Sequence, residues 1–171
     1  MTGTSPDTTA AGTSPGRRRA AGIYGSIVTA AILTAAGGAL PTVGLALAVV
    51  VTLVVYWVAE EYAELLGEHV EGGRLPGRRQ IGAELAATWP MVTASYGPVA
   101  VLLLAGLAGA SRSAAANTGL AVSVLLLVFH VWSAGRVARL RGWWLVLATS
   151  TAALLGLMLI LLKNLVLLHL H

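Results

Sequence analysis

Five long stretches without charged residues alternate along the chain with short groups of charged ones. The stretches cover 20–40, 42–59, 91–110, 117–135 and 142–162, and His130 is the ionisable residue inside them. About 20 apolar residues in a helix cross the roughly 30 Å hydrocarbon layer of a membrane. Open strands would leave backbone groups unpaired in lipid, and these stretches are too long and unalternating for barrel strands. We therefore predict five transmembrane helices, over about 20–40, 42–66, 89–110, 117–137 and 142–168.

The composition agrees with a membrane protein. Of the 171 residues, 57% are hydrophobic and 11% are charged, whereas soluble domains carry about 25% charged residues. The predicted fold class is all-α, a polytopic membrane helical bundle over residues 20–171 that is embedded in a lipid bilayer. A cytoplasmic segment over 67–88 joins its second and third helices.

The basic residues predict the orientation of the bundle. Three groups of three arginines, nine of the eleven Lys and Arg residues, fall on one side of the predicted membrane: Arg17, Arg18, Arg19, Arg74, Arg78, Arg79, Arg136, Arg139 and Arg141. Because cytoplasmic loops are enriched in Lys and Arg, the N-terminus is placed in the cytoplasm and the C-terminus outside it. The net charge of +4 then reflects topology and does not indicate nucleic-acid binding. The Arg-, Ala- and Gly-rich composition indicates a bacterial inner membrane.

Residues 1–19 precede the first span and are rich in Thr, Ser, Pro and Gly. Such a segment buries too little apolar surface to offset its ordering entropy, so we predict a disordered cytoplasmic tail. A signal peptide is the alternative interpretation, since arginines precede an apolar segment.

A ridge of small residues follows one face of the first span. Gly22, Ser26, Ala30 and Thr34 recur at four-residue intervals, which allows another helix backbone to approach closely in lipid. The ridge predicts helix packing, and a homodimer through these four residues is a further hypothesis.

Turn and break signals separate the spans. Gly37, Gly38 and Pro41 predict a tight turn between the first two helices. Pro98, which follows Gly97 in the third span, predicts a kink because proline removes a backbone hydrogen bond.

Acidic residues concentrate after the second span. Six of the seven lie between positions 60 and 84, and with one histidine they form a candidate metal site of oxygen ligands: Glu60, Glu61, Glu64, Glu68, His69, Glu71 and Glu84. These ligands suit Fe²⁺, Mn²⁺, Mg²⁺ or Ca²⁺. The alternative is a solvated helix face whose charge the nearby Arg74, Arg78 and Arg79 neutralise.

Hydroxyl and imidazole groups map to the cytoplasmic half of the predicted bundle. The candidates for a transport path are Tyr24, Ser26, Tyr56, Thr93, Tyr96 and His130. The alternative for the Ser and Thr hydroxyls is a bond back to their own helices. Ionisable residues inside a membrane are functional candidates, but no series of carboxylates crosses the midplane, which argues against a proton-coupled transporter.

Catalytic chemistry has no support in the sequence. The chain has no cysteine, no phosphate-binding loop and no set of nucleophile, base and orienting residue. Two classes of function stay open: divalent-cation binding or transport through the Glu-rich extension of helix two, and a non-catalytic membrane accessory or interaction protein.

Two short motifs lie in the second and first predicted spans, Ala59-Glu60-Glu61-Tyr62 and residues 25–29 (GSIVT). They resemble an Ala-Gly-Glu-Tyr element and an Asp-Gly-Leu-Val-Thr stretch of the vacuolar-iron-transporter family of five-helix membrane proteins. The resemblance implies a cytoplasmic metal-binding extension after helix two, with Glu61 as a matching carboxylate. Tyr24 occupies the position of the family's transport aspartate, and the segment over 67–88 is shorter than the family's three-helix domain.

Overall fold

The computed structural model describes residues 15–72, 77–138 and 142–169, which form seven helices and, within that part of the chain, no strand. The helices are α1 (Pro15–Ala36), α2 (Thr42–Gly72), α3 (Arg78–Thr88), α4 (Pro90–Thr93), α5 (Tyr96–Leu107), α6 (Arg112–Val137) and α7 (Trp143–His169). Four helical segments are long and apolar enough to cross a membrane: Gly16–Ala36, Thr42–Gly67, Ile81–Leu107 and Arg112–Val137. The predicted all-α class is confirmed, and the chain is a multi-pass membrane protein. Helix α7 adds a shorter apolar stretch, Trp143–Leu159.

Helix α1 begins earlier than predicted. Residues 15–19 are helical, so the disordered tail predicted over 1–19 was wrong for that part, and residues 1–14 lie outside the described residues. Pro15 fits the first helical position, because its fixed φ suits a helix and its missing N–H has no partner there anyway. Arg17 and Arg19 contact Glu64 and Ser133 of other helices, and these contacts offset the entropy of ordering the segment.

A tight turn joins α1 to α2, as predicted. The N–H of Gly37 donates to the carbonyl of Leu33 at 3.1 Å, and Gly38 adopts a φ of +100°. Glycine adopts this left-handed conformation without the steric penalty of a β-carbon. Pro41 then precedes the first residue of α2.

Helices α1 and α6 form the centre of the bundle. Helix α1 contacts α2, α3, α4, α6 and α7, with its most extensive packing on α6, while α6 also packs on α5 and α7. The buried apolar side chains around this pair include Leu33, Val49, Met91 and Leu120.

The ridge of small residues on α1 packs inside the chain. Ser26 and Ala30 are fully buried, and the hydroxyl of Ser123 on α6 donates to the backbone carbonyl of Ser26 at 2.9 Å. A β-carbon at Gly22 would lie 3.1 Å from the imidazole of His130. The predicted helix packing is confirmed with α6 as the partner. The homodimer through Gly22, Ser26, Ala30 and Thr34 has no support here, because α6 occupies most of that ridge.

The third predicted span is interrupted twice. It begins at Ile81 within α3, earlier than the predicted residue 89, and the helix breaks at Trp89 and again at Ala94 and Ser95. Pro98 lies in the first turn of α5, where its missing N–H leaves no helical hydrogen bond broken. The predicted irregularity is confirmed, and the break falls just before Gly97 and Pro98.

Helix α2 is the most exposed of the four candidate spans. Its exposed apolar side chains recur every three or four residues and form one stripe, which in a membrane contacts lipid: Val43, Leu47, Val51, Val55, Val58, Tyr62 and Leu66. The helix has 31 residues and is about 46 Å long, longer than the roughly 30 Å hydrocarbon layer. Its carboxylate-bearing end therefore lies at or beyond the edge of the hydrocarbon.

Candidate functional site

The glutamates at the end of α2 occupy different environments. Glu61 is only 3% exposed, whereas Glu60 lies on the surface and Glu64 is partly exposed. Positions 60 and 64 share one face of the helix, and Glu61 is turned by 100° toward α3. The glutamates of α2 whose side chains the structure describes therefore divide into one buried carboxylate, Glu61, and a surface pair, Glu60 and Glu64.

Glu61 belongs to a buried hydrogen-bond network that connects α2 to the end of α3. The hydroxyl of Thr88 donates to Glu61 Oε1, and the indole Nε1–H of Trp57 donates to Thr88 Oγ1 at 3.0 Å. Trp57 also packs edge-to-face against Trp89, with ring centroids 4.9 Å apart. Trp57 and Glu61 are four residues apart and so present neighbouring side chains on one helix face. Because Thr88 binds Glu61, this carboxylate has a structural partner within the protein.

The surface carboxylate Glu64 has a partner on another helix. Arg17 of α1 forms a salt bridge with Glu64 through Nη2, across 47 positions of sequence. Arg19, half a turn further along α1, donates to the backbone carbonyl of Ser133 on α6 at 2.9 Å. The first turns of α1 thus contact the C-terminal parts of both α2 and α6.

Two neighbouring clefts open on the surface between α1 and α2. The first, of about 260 Å³, is lined by Arg17, Ala20, Ala21, Tyr24, Glu60, Glu64 and Thr88. The second, of about 380 Å³, is lined by Tyr24, Tyr56, Ala59 and Glu60. Because Tyr24 and Glu60 line both clefts, the two adjoin, and together they are here called the acid–aromatic trough.

The aromatic part of the trough is a pair of tyrosines from two helices. The rings of Tyr24 and Tyr56 meet edge-to-face with centroids 6.3 Å apart, and their side chains are 44% and 47% exposed. Tyr56 lies one helical turn before Glu60, so the ring and the carboxylate share a face of α2. The trough therefore offers aromatic surface next to a carboxylate.

The predicted metal ligands do not converge where the structure describes them. Among the described side chains, no group of three His, Asp or Glu residues could hold a metal ion. Glu61 is bound to Thr88, Glu64 is bound to Arg17, and Glu84 is a buried residue of α3 that is 8% exposed. The side chains of Glu68, His69 and Glu71 lie outside the described residues, so a metal site that includes them stays a prediction.

Several residues predicted to line a path instead make local hydrogen bonds. The hydroxyls of Ser26 and Thr93 donate to the carbonyls of Gly22 and Pro90, at 2.9 and 3.4 Å. Nδ1 of His130 donates to the carbonyl of Leu126 at 2.7 Å, because a carbonyl oxygen can only accept. Tyr96 is exposed on α5. Of the candidate path residues, Tyr24 and Tyr56 line the trough.

Sequence reasoning missed Thr88, Arg17 and Ser133 as partners. Part of this network could have been found from the sequence. Trp57 and Glu61 are four residues apart and so share one helix face, and a carboxylate buried beside an indole needs a hydrogen-bond partner. Which residue supplies that partner depends on the contact between α2 and α3, and no local pattern gives it.

Comparisons with models of known protein families, with curated proteins and with solved structures find no match for this chain. The resemblance to the vacuolar-iron-transporter family therefore stays a prediction.

Proposed function

We propose that the chain is a five-span protein whose N-terminus is cytoplasmic and whose C-terminus is extracytoplasmic, with α7 as the fifth span. The 27 residues of α7 are about 40 Å long, enough to cross the hydrocarbon layer. The arginine distribution supports this orientation.

The absence of cysteine in the chain makes this topology directly measurable. A single cysteine at Ser113 or at His171 should react with a membrane-impermeant maleimide in intact cells. One at Gly77, which is exposed and precedes the third span, should react only after lysis. Labelling at Ser113 without labelling at His171 would indicate four spans, and labelling at Gly77 in intact cells would reverse the orientation.

We further propose that the protein is a non-catalytic membrane binding protein, and that the acid–aromatic trough receives a singly charged cationic group of its ligand or partner. The observation that carries this proposal is the combination of the Tyr24–Tyr56 pair with Glu60 in one open depression. Ammonium groups bind to tyrosine faces through cation–π attraction, and a nearby carboxylate adds Coulombic attraction.

The charge of the trough favours a single positive charge on the ligand. Glu60 and Glu64 contribute two negative charges and Arg17 one positive charge, which leaves one net negative charge. Ca²⁺ takes six to eight oxygen ligands and Mg²⁺ six, and the described side chains hold no cluster of three candidate ligands. The trough matches an ammonium group better than a divalent ion.

The buried hydroxyls support binding over transport. Those of Ser26 and Thr29 donate to backbone carbonyls of α1, and that of Ser95, in the turn after α4, donates to the carbonyl of Val92, at 2.7 to 2.9 Å. Hydroxyls that are satisfied in this way stabilise helix packing, and they are not aimed into an open path.

The four tyrosines of the chain provide an internally controlled test. In detergent-purified protein with isotopically labelled tyrosine, ethanolamine hydrochloride should shift the ring signals of Tyr24 and Tyr56 saturably, while Tyr62 and Tyr96 do not respond. Glu60→Gln should weaken the response. Equal shifts of all four signals, or no saturation, would contradict binding at the trough.

Divalent-cation binding is the second candidate function, because the end of α2 carries three glutamates within five positions and the sequence resembles the vacuolar-iron-transporter family. Calorimetric titration with Fe²⁺, Mn²⁺, Mg²⁺ and Ca²⁺ tests it. Selective binding that is lost when Glu61, Glu64 and Glu68 become Gln would favour this candidate, and heats unchanged by those substitutions would reject it.

A further inference from the structure

The residues around the acid–aromatic trough are of the kinds found where a bilayer presents its head groups. Trp57 and Trp89 pack together beside it, and tryptophan is enriched at membrane–water interfaces. From Tyr56 toward the membrane interior, the exposed side chains of α2 are apolar and include Val55 and Val51. A ligand in the trough therefore has charged groups on one side and a lipid-facing helix surface on the other.

We propose that the trough binds the head group of a phospholipid that ends in a primary ammonium, such as phosphatidylethanolamine. This inference rests on the proposed binding of a cationic group, and it identifies that group as the ammonium of a lipid head group. The ammonium would lie against Tyr24, Tyr56 and Glu60, and the acyl chains would lie along Val55 and Val51.

Arg17 supplies the second half of the recognition. A guanidinium carries five N–H donors, so Arg17 can bind a phosphate oxygen while it remains paired with Glu64. Arg17 lines the cleft that adjoins the tyrosine pair through Tyr24 and Glu60. A zwitterionic head group, with an ammonium and a phosphate separated by two carbon atoms, matches this sequence of charges.

The carboxylate selects a primary over a quaternary ammonium. Glu60 accepts hydrogen bonds, and a primary ammonium has three N–H groups to donate whereas a choline head group has none. The tyrosine faces attract both kinds of cation. We therefore expect phosphatidylethanolamine to bind more tightly than phosphatidylcholine, and both more tightly than anionic phosphatidylglycerol.

The test uses the full chain, delipidated in detergent and titrated with each of the three lipids under native mass spectrometry. Loss of the Tyr56 ring in Tyr56→Leu should weaken phosphatidylethanolamine binding by about three- to thirtyfold, and Tyr56→Phe should restore it. Tyr62→Leu is the matched control, because Tyr62 is an exposed tyrosine of the same helix outside the trough. Glu60→Gln should reduce the preference for ethanolamine over choline lipids. Unchanged helical circular dichroism verifies that each variant is folded.

Other results of these experiments would overturn the lipid assignment alone or both proposals. Equal affinity for the three lipids, or equal loss in Tyr56→Leu and Tyr62→Leu, would overturn the lipid assignment. If ethanolamine hydrochloride shifts the Tyr24 and Tyr56 signals but the lipid does not bind preferentially, the lipid inference fails and the proposed cation site stands. If neither the soluble amine nor the lipid acts at the trough, both proposals fail.

Discussion

Helix α1 makes two different kinds of contact along its length. In its middle, Gly22, Gly25 and Ser26 bring the backbone close to α6 and α4, and the link to α6 is a hydroxyl that donates to a backbone carbonyl. In its first turns, Arg17 and Arg19 reach neighbouring helices through long charged side chains. These two kinds of contact differ because the two parts of α1 lie in different surroundings. Hydrocarbon penalises unpaired polar groups and favours close backbone packing, whereas the interface hydrates charges and tolerates flexible contacts.

The largest effect should follow from adding one carbon to the middle of α1. A β-carbon at Gly25 would lie 2.1 Å from the carbonyl oxygen of Met91, so Gly25→Ala forces α1 and α4 apart. We expect the free energy of unfolding in detergent to fall by about 3 kcal/mol. Gly82→Ala is the matched control, since nothing lies within 4 Å of that position, and alanine there should stabilise α3 by about 0.5–1 kcal/mol. A similar loss in both variants would contradict the close approach of α1 and α4.

The buried network around Glu61 should come next. Thr88→Val keeps the volume of the side chain but leaves Glu61 and the indole N–H of Trp57 without their shared partner. We expect a loss of about 2–3 kcal/mol in the free energy of unfolding, because buried polar groups are left unsatisfied. Thr151→Val, at an exposed hydroxyl that bonds to Leu147 of its own helix, should change stability by less than about 0.5 kcal/mol. If the two substitutions lower the free energy of unfolding by the same amount, the buried network stabilises the protein no more than an exposed hydroxyl does.

A smaller effect is expected for the hydroxyl bond between α6 and α1. Ser123→Ala removes the donor to the Ser26 carbonyl, and such interhelical bonds contribute about 0.6 kcal/mol on average in membrane proteins. Unfolding of Ser123→Ala in detergent measures this difference. Ser26→Ala should cost less, because its own hydroxyl bonds within α1. A loss above about 2 kcal/mol for Ser123→Ala would show that the bond is stronger than this class of contact allows.

The smallest effect should belong to the salt bridge at the interface. Both side chains of the Arg17–Glu64 pair are partly exposed, so solvent screening limits the coupling energy to a few tenths of a kcal/mol. A double-mutant cycle with Arg17→Gln and Glu64→Gln measures it, and the coupling should diminish further in high salt. A coupling that is insensitive to salt would mean that the pair is shielded from water.

Much of the fold could be predicted from the sequence, because a helix that crosses the hydrocarbon layer needs a long apolar stretch. The α1–α2 turn and the irregular third span were predicted from local patterns, because Gly38 and Pro98 act on their own neighbourhoods. Helix α2 instead continues to Gly72, six residues beyond its predicted end at 66. Five spans and their orientation remain predictions, of which the described part of the chain supports four candidate spans.

The candidate site was less predictable, because its contacts join distant parts of the sequence. The sequence directs attention to Arg74, Arg78 and Arg79 as neighbours of the glutamates, yet the partner that the structure gives to Glu64 is Arg17. Arg74 and the side chains of Arg78 and Arg79 lie outside the described residues. Tyr24 and Tyr56 were predicted as path residues and meet in the trough, but their edge-to-face contact depends on how α1 lies against α2.

The central pairing of α1 with α6 has a consequence for biosynthesis. The residues that bond across this pair, Ser26 and Ser123, are 97 positions apart. At translation rates of roughly 5–20 residues per second, α1 emerges from the ribosome about 5–20 s before its main partner. During that interval the face of α1 that packs on α6 has only lipid, the helices made before α6 and the insertion machinery to cover it. Final assembly of the bundle is thus a late event, which waits until most of the chain has been made.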